Sequence, residues 1–312
     1  MWSLFHSIFG IPEEDERYPE KLVDAAIERA VDGTDPWLRG LSGYRKKLRP
    51  AVIAAIDHVV TLVDSLAPPR PATREGYSRD HLVQAMFVSS EQMRKVIHDQ
   101  LAAQPVEGDA ACALLVMELE QRGIFGVDLV GDTVVRDVAQ VTVSFANHRL
   151  VDPAGSEAMT RRHLKRRAFD HLLGLALREM VATKEIREGL DNRRTLLQAK
   201  LDVLQRGCWG FDSSTTQQPA NIVELETQLA DIESQLELVG DDGEALKVAL
   251  GLLVDVLGRP QEHLWASRMT LAVDRMGIKR TTPCDEAPEL TLEQLHNAEG
   301  RNVVVTLVEI ER

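Results

Sequence analysis

The sequence predicts an α+β protein with three parts: an all-helical N-terminal unit, a five-stranded antiparallel sheet, and an antiparallel coiled-coil helical hairpin inserted in that sheet. Three observations predict it. Residues 1–104 carry apolar residues at helical spacing only. Apolar residues then alternate at period two in segments on both sides of the region 155–257. Within that region the spacing becomes the 3-4-3-4 seam of a coiled coil. The limits so drawn are 1–109 for the helical unit, 110–154 with 258–312 for the sheet, and 155–257 for the insertion.

In the first part, Pro19 opens a helix with Leu22, Val23, Ala26, Ile27, Ala30 and Val31 on one stripe. Gly33, Pro36, Gly40 and Gly43 mark a structured connection. A second helix follows, with Ile53, Ile56, Val60 and Val63 expected inward. Pro68, Pro69 and Pro71 make residues 67–78 read as a linker-like loop. A helical pair closes the unit, and Ser89 with Gln92 forms a capping box for its second member.

The sheet begins near Ala110. Ala113, Leu115, Met117 and Leu119 share one strand face, Arg122-Gly123 reads as a turn, and 124–130 as a second short strand. Gly131-Asp132 is a hairpin signal leading into 133–148, where Val141, Val143 and Phe145 alternate with polar or small residues. After the insertion, Met269, Leu271 and Val273 alternate, and Gly277 marks a bend. In 301–311, Val303, Val305 and Leu307 lie on one face and Val304, Thr306 and Val308 on the other. Apolar residues on both faces predict a central position for this strand.

The outgoing arm of the hairpin runs without proline from Ser156 to Arg206, with Phe169, Leu173, Ala176, Met180, Leu190, Leu197, Leu201 and Leu204 on its seam. Thr183, Arg187 and Arg194 interrupt that seam. The return arm carries Ile222, Leu225, Leu229, Ile232 and Leu236. From 156 to 206 there are 12 Lys/Arg against 7 Asp/Glu; from 207 to 244 there are 9 Asp/Glu and no Lys or Arg. A basic arm facing an acidic one favours antiparallel pairing over pairing of like with like. Residues 244–257 are apolar nearly all round and call for cover on two faces; the sheet can supply one, and the N-terminal helices or a second copy of the chain the other.

A net charge of −13 argues against binding nucleic acid through the whole surface. Three cysteines (Cys112, Cys208 and Cys284) at wide spacing form neither a disulfide framework nor a zinc motif. The apolar start lacks a basic n-region, which places the chain in the cytoplasm by default. HExxH, CxxC, GxSxG and phosphate-loop motifs do not occur, so no cofactor, metal or catalytic residue is implied.

Two surfaces stand out instead. Arg161, Arg162, Lys165, Arg166 and Arg167 crowd the start of the long helix, where cations oppose its dipole. Arg45, Lys46, Lys47 and Arg49 form a second basic cluster ahead of a helix. Each is a candidate patch for an anion or partner. The plainer reading is a solvated face, or ion pairing to the acidic loop 13–16 or to Asp241 and Asp242. Candidate docking residues are Cys208 and Trp209 at the hairpin tip and Trp2 and Phe5 at the start. The sequence thus points to a non-enzymatic cytoplasmic interaction or scaffold protein that self-associates through its helices, with another protein at the hairpin tip as a further partner. A peripheral protein binding nucleic acid or anionic membrane through the basic clusters is the alternative. An enzyme with a pocket between sheet and N-terminal helices is a third.

Overall fold

A computed structural model describes residues 18–104, 106, 110–130, 133–206, 218–239 and 242–311. It is a mixed helix and sheet protein of the α+β class. Contacts divide it into two compact units, 1–54 with 170–259 and 55–169 with 260–312. These limits differ from the boundaries drawn on the sequence, because each unit combines residues from both sides of the long helix start.

Unit 1 is helical. Helix α1 (Glu20–Asp32) starts after Pro19 and buries the stripe Leu22, Val23, Ala26, Ile27, Ala30 and Val31. A short 3-10 turn (Pro36–Gly40) is capped by Asp35, whose carboxylate accepts from the Trp37 amide. Helix α2 (Tyr44–Asp64) begins at the second basic cluster, about two turns ahead of the Ala51 start that the sequence suggests, and the unit boundary falls inside it. Helix α6 (Glu157–Arg206) is one 50-residue helix, shared by the two units; α7 (Gln218–Val239) and α8 (Asp242–Gly258) complete unit 1. Among the described residues of α8 only Leu250, Leu253, Val256 and Leu257 are buried, while Val248 and Gly251 are exposed. The cover expected on two faces is thus present on one, and it is supplied within a single chain. Arg29 on α1 grips Asp170 on α6 with two bonds, Nε–Oδ1 at 2.6 Å and Nη2–Oδ2 at 2.5 Å.

Unit 2 holds a sheet of seven strands rather than five. They are β1 (Arg70–Pro71), β2 (Ala110–Val130), β3 (Thr133–Ala154), β4 (Leu264–Val273), β5 (Lys279–Arg280), β6 (Glu289–Asn297) and β7 (Asn302–Glu311). Their order is β3-β2-β7-β6-β4-β5, and β1 joins β7 in parallel, so the sheet is not purely antiparallel. Helices α6 to α8 are therefore inserted between strands of one sheet. Three expectations are corrected. The strand β2 runs straight through Arg122-Gly123, where a turn was expected. The strand β6, with Leu290 and Leu292 buried, was not anticipated. The proline-rich loop contributes an ordered strand, not a linker.

The last strand, β7, is central, as its two apolar faces predict. Val304, Val308 and Ile310 join a core with Ala113, Leu115 and Met117 of β2 and with Leu82, Met86, Met93 and Ile97. The helices α4 (His81–Met86) and α5 (Ser90–Ala103) supply those last four; α3 (Arg74–Arg79) precedes them. The other face, Val305 and Leu307, packs with Leu114, Val116, Val63, Leu66 and Leu164. On α2 the buried residues in this unit are Ala55, Ile56, Val59, Leu62 and Val63; Val60, expected inward, is only half-buried, as is Ile53 in unit 1.

The strand β3 carries three bulges. The pairing with β2 slips by one residue at 112–114, 116–118 and 126–127, and each time β3 holds the extra residue. These slips contain Asp152, Asn147 and Asp137, the three non-glycine residues with positive φ (50°, 55° and 57°). Asn and Asp tolerate this left-handed conformation best among residues with a Cβ, and each bulge adds bend and twist. The curl brings the ends of the strand order together: the Val143 amide donates to the Gly277 carbonyl at 2.7 Å, and Thr142 bridges Ile278. Gly277 has φ +77°, and a Cβ there would stand 2.9 Å from the Val143 carbonyl oxygen. Further along β3, the Gln100 side chain takes the place of a neighbouring strand. Its Nε2 donates to the His148 carbonyl at 2.7 Å and its Oε1 accepts from the Leu150 amide at 2.6 Å.

Gly76 in α3 lies against Pro71, where a Cβ would stand 2.0 Å from the carbonyl oxygen. Gly174 in α6 has open space around it. Gly76→Ala is expected to lower stability by about 1–3 kcal/mol through forced backbone movement, and Gly174→Ala to raise it by about 0.5–1 kcal/mol through helix propensity. Urea titrations of both variants check this.

Candidate functional site

The basic cluster at the start of α6 is largely engaged within unit 2. Helix α2 ends at Asp64, and its last carbonyls need donors. Arg161 supplies them: Nη1 donates to the Val63 carbonyl at 2.6 Å, and Nη2 to those of Leu66 and Ala67 at 3.0 and 3.3 Å. Its Nε donates to Glu157 at 2.7 Å. Lys165, buried, reaches the Asp64 carboxylate at 2.8 Å. Arg167 makes two 2.7 Å bonds to Asp152, the αL residue of the first bulge. Among the described residues the partners are Asp64, Asp152, Glu157 and a helix end; the acidic loop 13–16, Asp241 and the side chain of Asp242 lie outside them. Arg166 is half-buried, and Arg162 is half-exposed outside these pairs. The sequence showed the charge density, but the end of α2 that it caps is remote in the chain. Nearby, the buried Thr160 hydroxyl donates to the Cys112 carbonyl at 2.7 Å, and burial pushes the Cys112 thiol above its ordinary range.

The second cluster lies in unit 1, within α2. Arg45 donates to Glu28 at 2.7 Å and Arg49 stands 3.6 Å from Glu20, while Lys46 and Lys47 are exposed. Glu28 is a hub: it also accepts from Tyr44 at 2.9 Å and from Arg39 at 2.8 Å. Burial raises its pKa, but the bonds from Arg39 and Tyr44 and the charge of Arg45 outweigh burial and hold it below the usual carboxylate range. The other candidates, Trp2, Phe5, Cys208 and Trp209, lie outside the described residues.

Two features of unit 2 were not legible in sequence. A groove of about 630 Å³ runs between the α3–α4 corner and the ends of β1, β6 and β7. Arg70, Arg79 and His81 line it together with Glu75, Glu289 and Glu311, and Arg70 is tied to Asp80 at 2.6 Å. Mixed charge of this kind presents no single-signed field to a phosphate or a cation. On β4 and β6, the Ser267 hydroxyl and His296 Nε2 are 2.7 Å apart, and Trp265 stacks on the His296 ring. Both ends of that bond come from neighbouring strands, so it is a cross-strand polar contact. Among the described residues no group of three or more His, Cys, Asp or Glu is placed to hold a metal ion, and no helix is long and apolar enough to cross a membrane.

In α6, the half-buried positions between 182 and 201 are Thr183, Arg187, Leu190, Asp191, Arg194, Leu197 and Leu201. Apart from Asp191, they repeat at intervals of four and three. On α7, Leu225 and Ile232 are buried and Leu229 and Leu236 half-buried, again at four and three. Arg194 Nε is buried without a hydrogen-bond partner among the described residues, and its guanidinium keeps an ion pair with Asp191 at 3.4 Å.

No family model, curated protein or solved structure matches the chain; its function is therefore argued from these residues alone.

Arg161→Ala removes charged hydrogen bonds to a helix end and is expected to cost about 1.5–3 kcal/mol; Arg162→Ala is expected to change stability by no more than about 0.5 kcal/mol. Chemical denaturation separates the two. Glu28, with its depressed pKa, adds stability that is present above the unfolded carboxylate range and is lost as pH falls through the lower folded value. Glu28→Gln should flatten the acid limb of a stability–pH curve below pH about 4.5. An unchanged slope there counts against the hub.

Proposed function

We propose that this chain is a cytoplasmic, non-catalytic interaction or scaffold protein that self-associates and carries a coiled-coil arm made of α6 and α7. The observation that supports the reading is the pair of covered seams just described. Folded back antiparallel, they match layer for layer: Leu201 with Leu225, Leu197 with Leu229, Arg194 with Ile232, and Leu190 with Leu236. One register satisfies all four layers, as knobs-into-holes packing requires. The basic character of α6 and the acidic character of α7 favour the same partner choice. The helix α6 alone spans about 75 Å at 1.5 Å per residue, and we propose another protein as a further partner of the arm.

Self-association was first inferred from the apolar base of the hairpin. On α8 the buried residues Leu250, Leu253, Val256 and Leu257 are covered by their own chain while Val248 stays exposed, so the helices give less support to self-association than the sequence implied. A peripheral role on nucleic acid or anionic membrane has weaker support still, because Arg161, Lys165, Arg167 and Arg45 already hold internal partners.

The arm is tested by paired cysteines. Leu197→Cys with Leu229→Cys, in a background lacking the native cysteines, should form an intramolecular disulfide under mild oxidation. Leu197→Cys with Gln235→Cys, off the register, should not. Cross-linking of the second pair in preference to the first would refute the arm.

A further inference from the structure

We infer that the free edge of β2 beyond Met117 is a homodimer interface, where two copies pair antiparallel about Phe125. This rests on the proposed self-association and names its surface. The pairing of β2 with β7 ends at Met117↔Val304, whereas β2 and β3 stay paired out to Val130↔Thr133. From Gln121 onward the hairpin is thus a two-stranded ribbon, with no strand beside β2 among the described residues. A ribbon of two strands is marginal on its own in water and gains from a third.

The two edges of this ribbon differ. That of β3 is broken by the bulge at Asp137 and, closer to the sheet, met by Gly277 and Gln100. That of β2 has no extra residue at any slip in the pairing, and its stretch 121–130 contains neither Lys nor Pro. Natural sheets usually protect exposed edges with such devices, and here a bulge and covering groups occur on the β3 edge alone. The ribbon is also held firmly: Gln140, buried, lies over Gly126 and donates to the Val127 carbonyl at 3.2 Å.

The occupant is a second copy because the stretch is complementary to itself. About a two-fold axis at Phe125, residues whose numbers sum to 250 come level. Phe125, 79% exposed, meets Phe125 of the second copy. Gly123 comes level with Val127, which is 57% exposed, and has open space where a Cβ would stand. Ile124 comes level with Gly126. Arg122, whose side chain is 74% exposed and pairs with Glu120 at 2.7 Å, comes level with Asp128, so the register sets residues of opposite charge at level positions twice. Phe125, Val127 and Val141, all exposed, share one face of the ribbon with Ala139 in the pairing of β2 with β3. Pairing therefore joins two apolar strips into one continuous four-stranded surface. Nine paired residues span about 30 Å, and with a sheet depth of ~10 Å the contact buries roughly 600 Å² in total. That is below the ~1,200 Å² of stable interfaces, so the dimer is weak and reversible.

Sedimentation velocity on the full chain from roughly 2 to 200 μM tests this. The wild type should shift from monomer toward dimer with concentration. Phe125→Pro, which removes an edge N–H and kinks the strand, should remain monomeric. Arg122→Asp should weaken the dimer at least tenfold, and Arg122→Asp with Asp128→Arg should restore it to within about threefold. That rescue does not depend on Phe125→Pro folding. A wild type that stays monomeric throughout overturns both this interface and the proposed self-association. A dimer untouched by Phe125→Pro and Arg122→Asp overturns the interface alone.

Discussion

The constraint on which unit 2 depends is that β7 must be covered on both faces. Val304, Val308 and Ile310 point one way and Val305 and Leu307 the other, and all are buried. Each such side chain gains about 1.5–3 kcal/mol from leaving water, so neither face can be left open. One is closed by α4 and α5, the other by the end of α2 and the start of α6. β7 is also where the segments on either side of the helical insertion are stitched together, by β2 on one edge and β6 on the other.

The same constraint explains why the basic run at the start of α6 is where it is. Leu164 has to reach the β7 face, which brings α6 across the exposed end of α2. That end presents unpaired carbonyls and the Asp64 carboxylate, an acceptor-rich spot that cations satisfy. Arg161 and Lys165 sit four residues apart, one helical turn, so both face it. Cations that disfavour the start of their own helix are thus accounted for by what they do for another. The bulges serve the sheet in a parallel way. Asp152 both takes the left-handed conformation and accepts Arg167, so one residue bends β3 and fastens α6 to it.

Much of this was legible in the sequence, and the misses have physical causes. Alternation placed Ala113, Leu115 and Met117 on one face and identified the central strand, since side-chain period is a local property. The cap at Ser89 was read correctly for the same reason, and its hydroxyl accepts from the Gln92 amide. The long helix from Glu157 to Arg206 was legible because nothing in 50 residues breaks it. The strand β6 was missed because its alternation is short, Leu290 and Leu292 between Thr291 and Glu293, and continues into the buried but polar Gln294. Arg122-Gly123 was read as a turn on composition, although cross-strand pairing with Thr142 and Val141 keeps it extended. His98, among apolar helical residues, is exposed, whereas His58, in a similar setting, is half-buried and bonded to the Leu264 carbonyl at 2.7 Å. The fate of the basic clusters was not legible at all, since Val63, Leu66 and Asp152 are fixed by tertiary structure.

Native-state hydrogen exchange tests the central role of β7 most directly. Amides of residues 303–308 and of 111–117 should exchange only with global unfolding, more slowly than those of α3 or of the ribbon beyond Gln121. If β7 instead exchanged as early as the ribbon, with the helices still protected, it would not be the strand around which unit 2 is built.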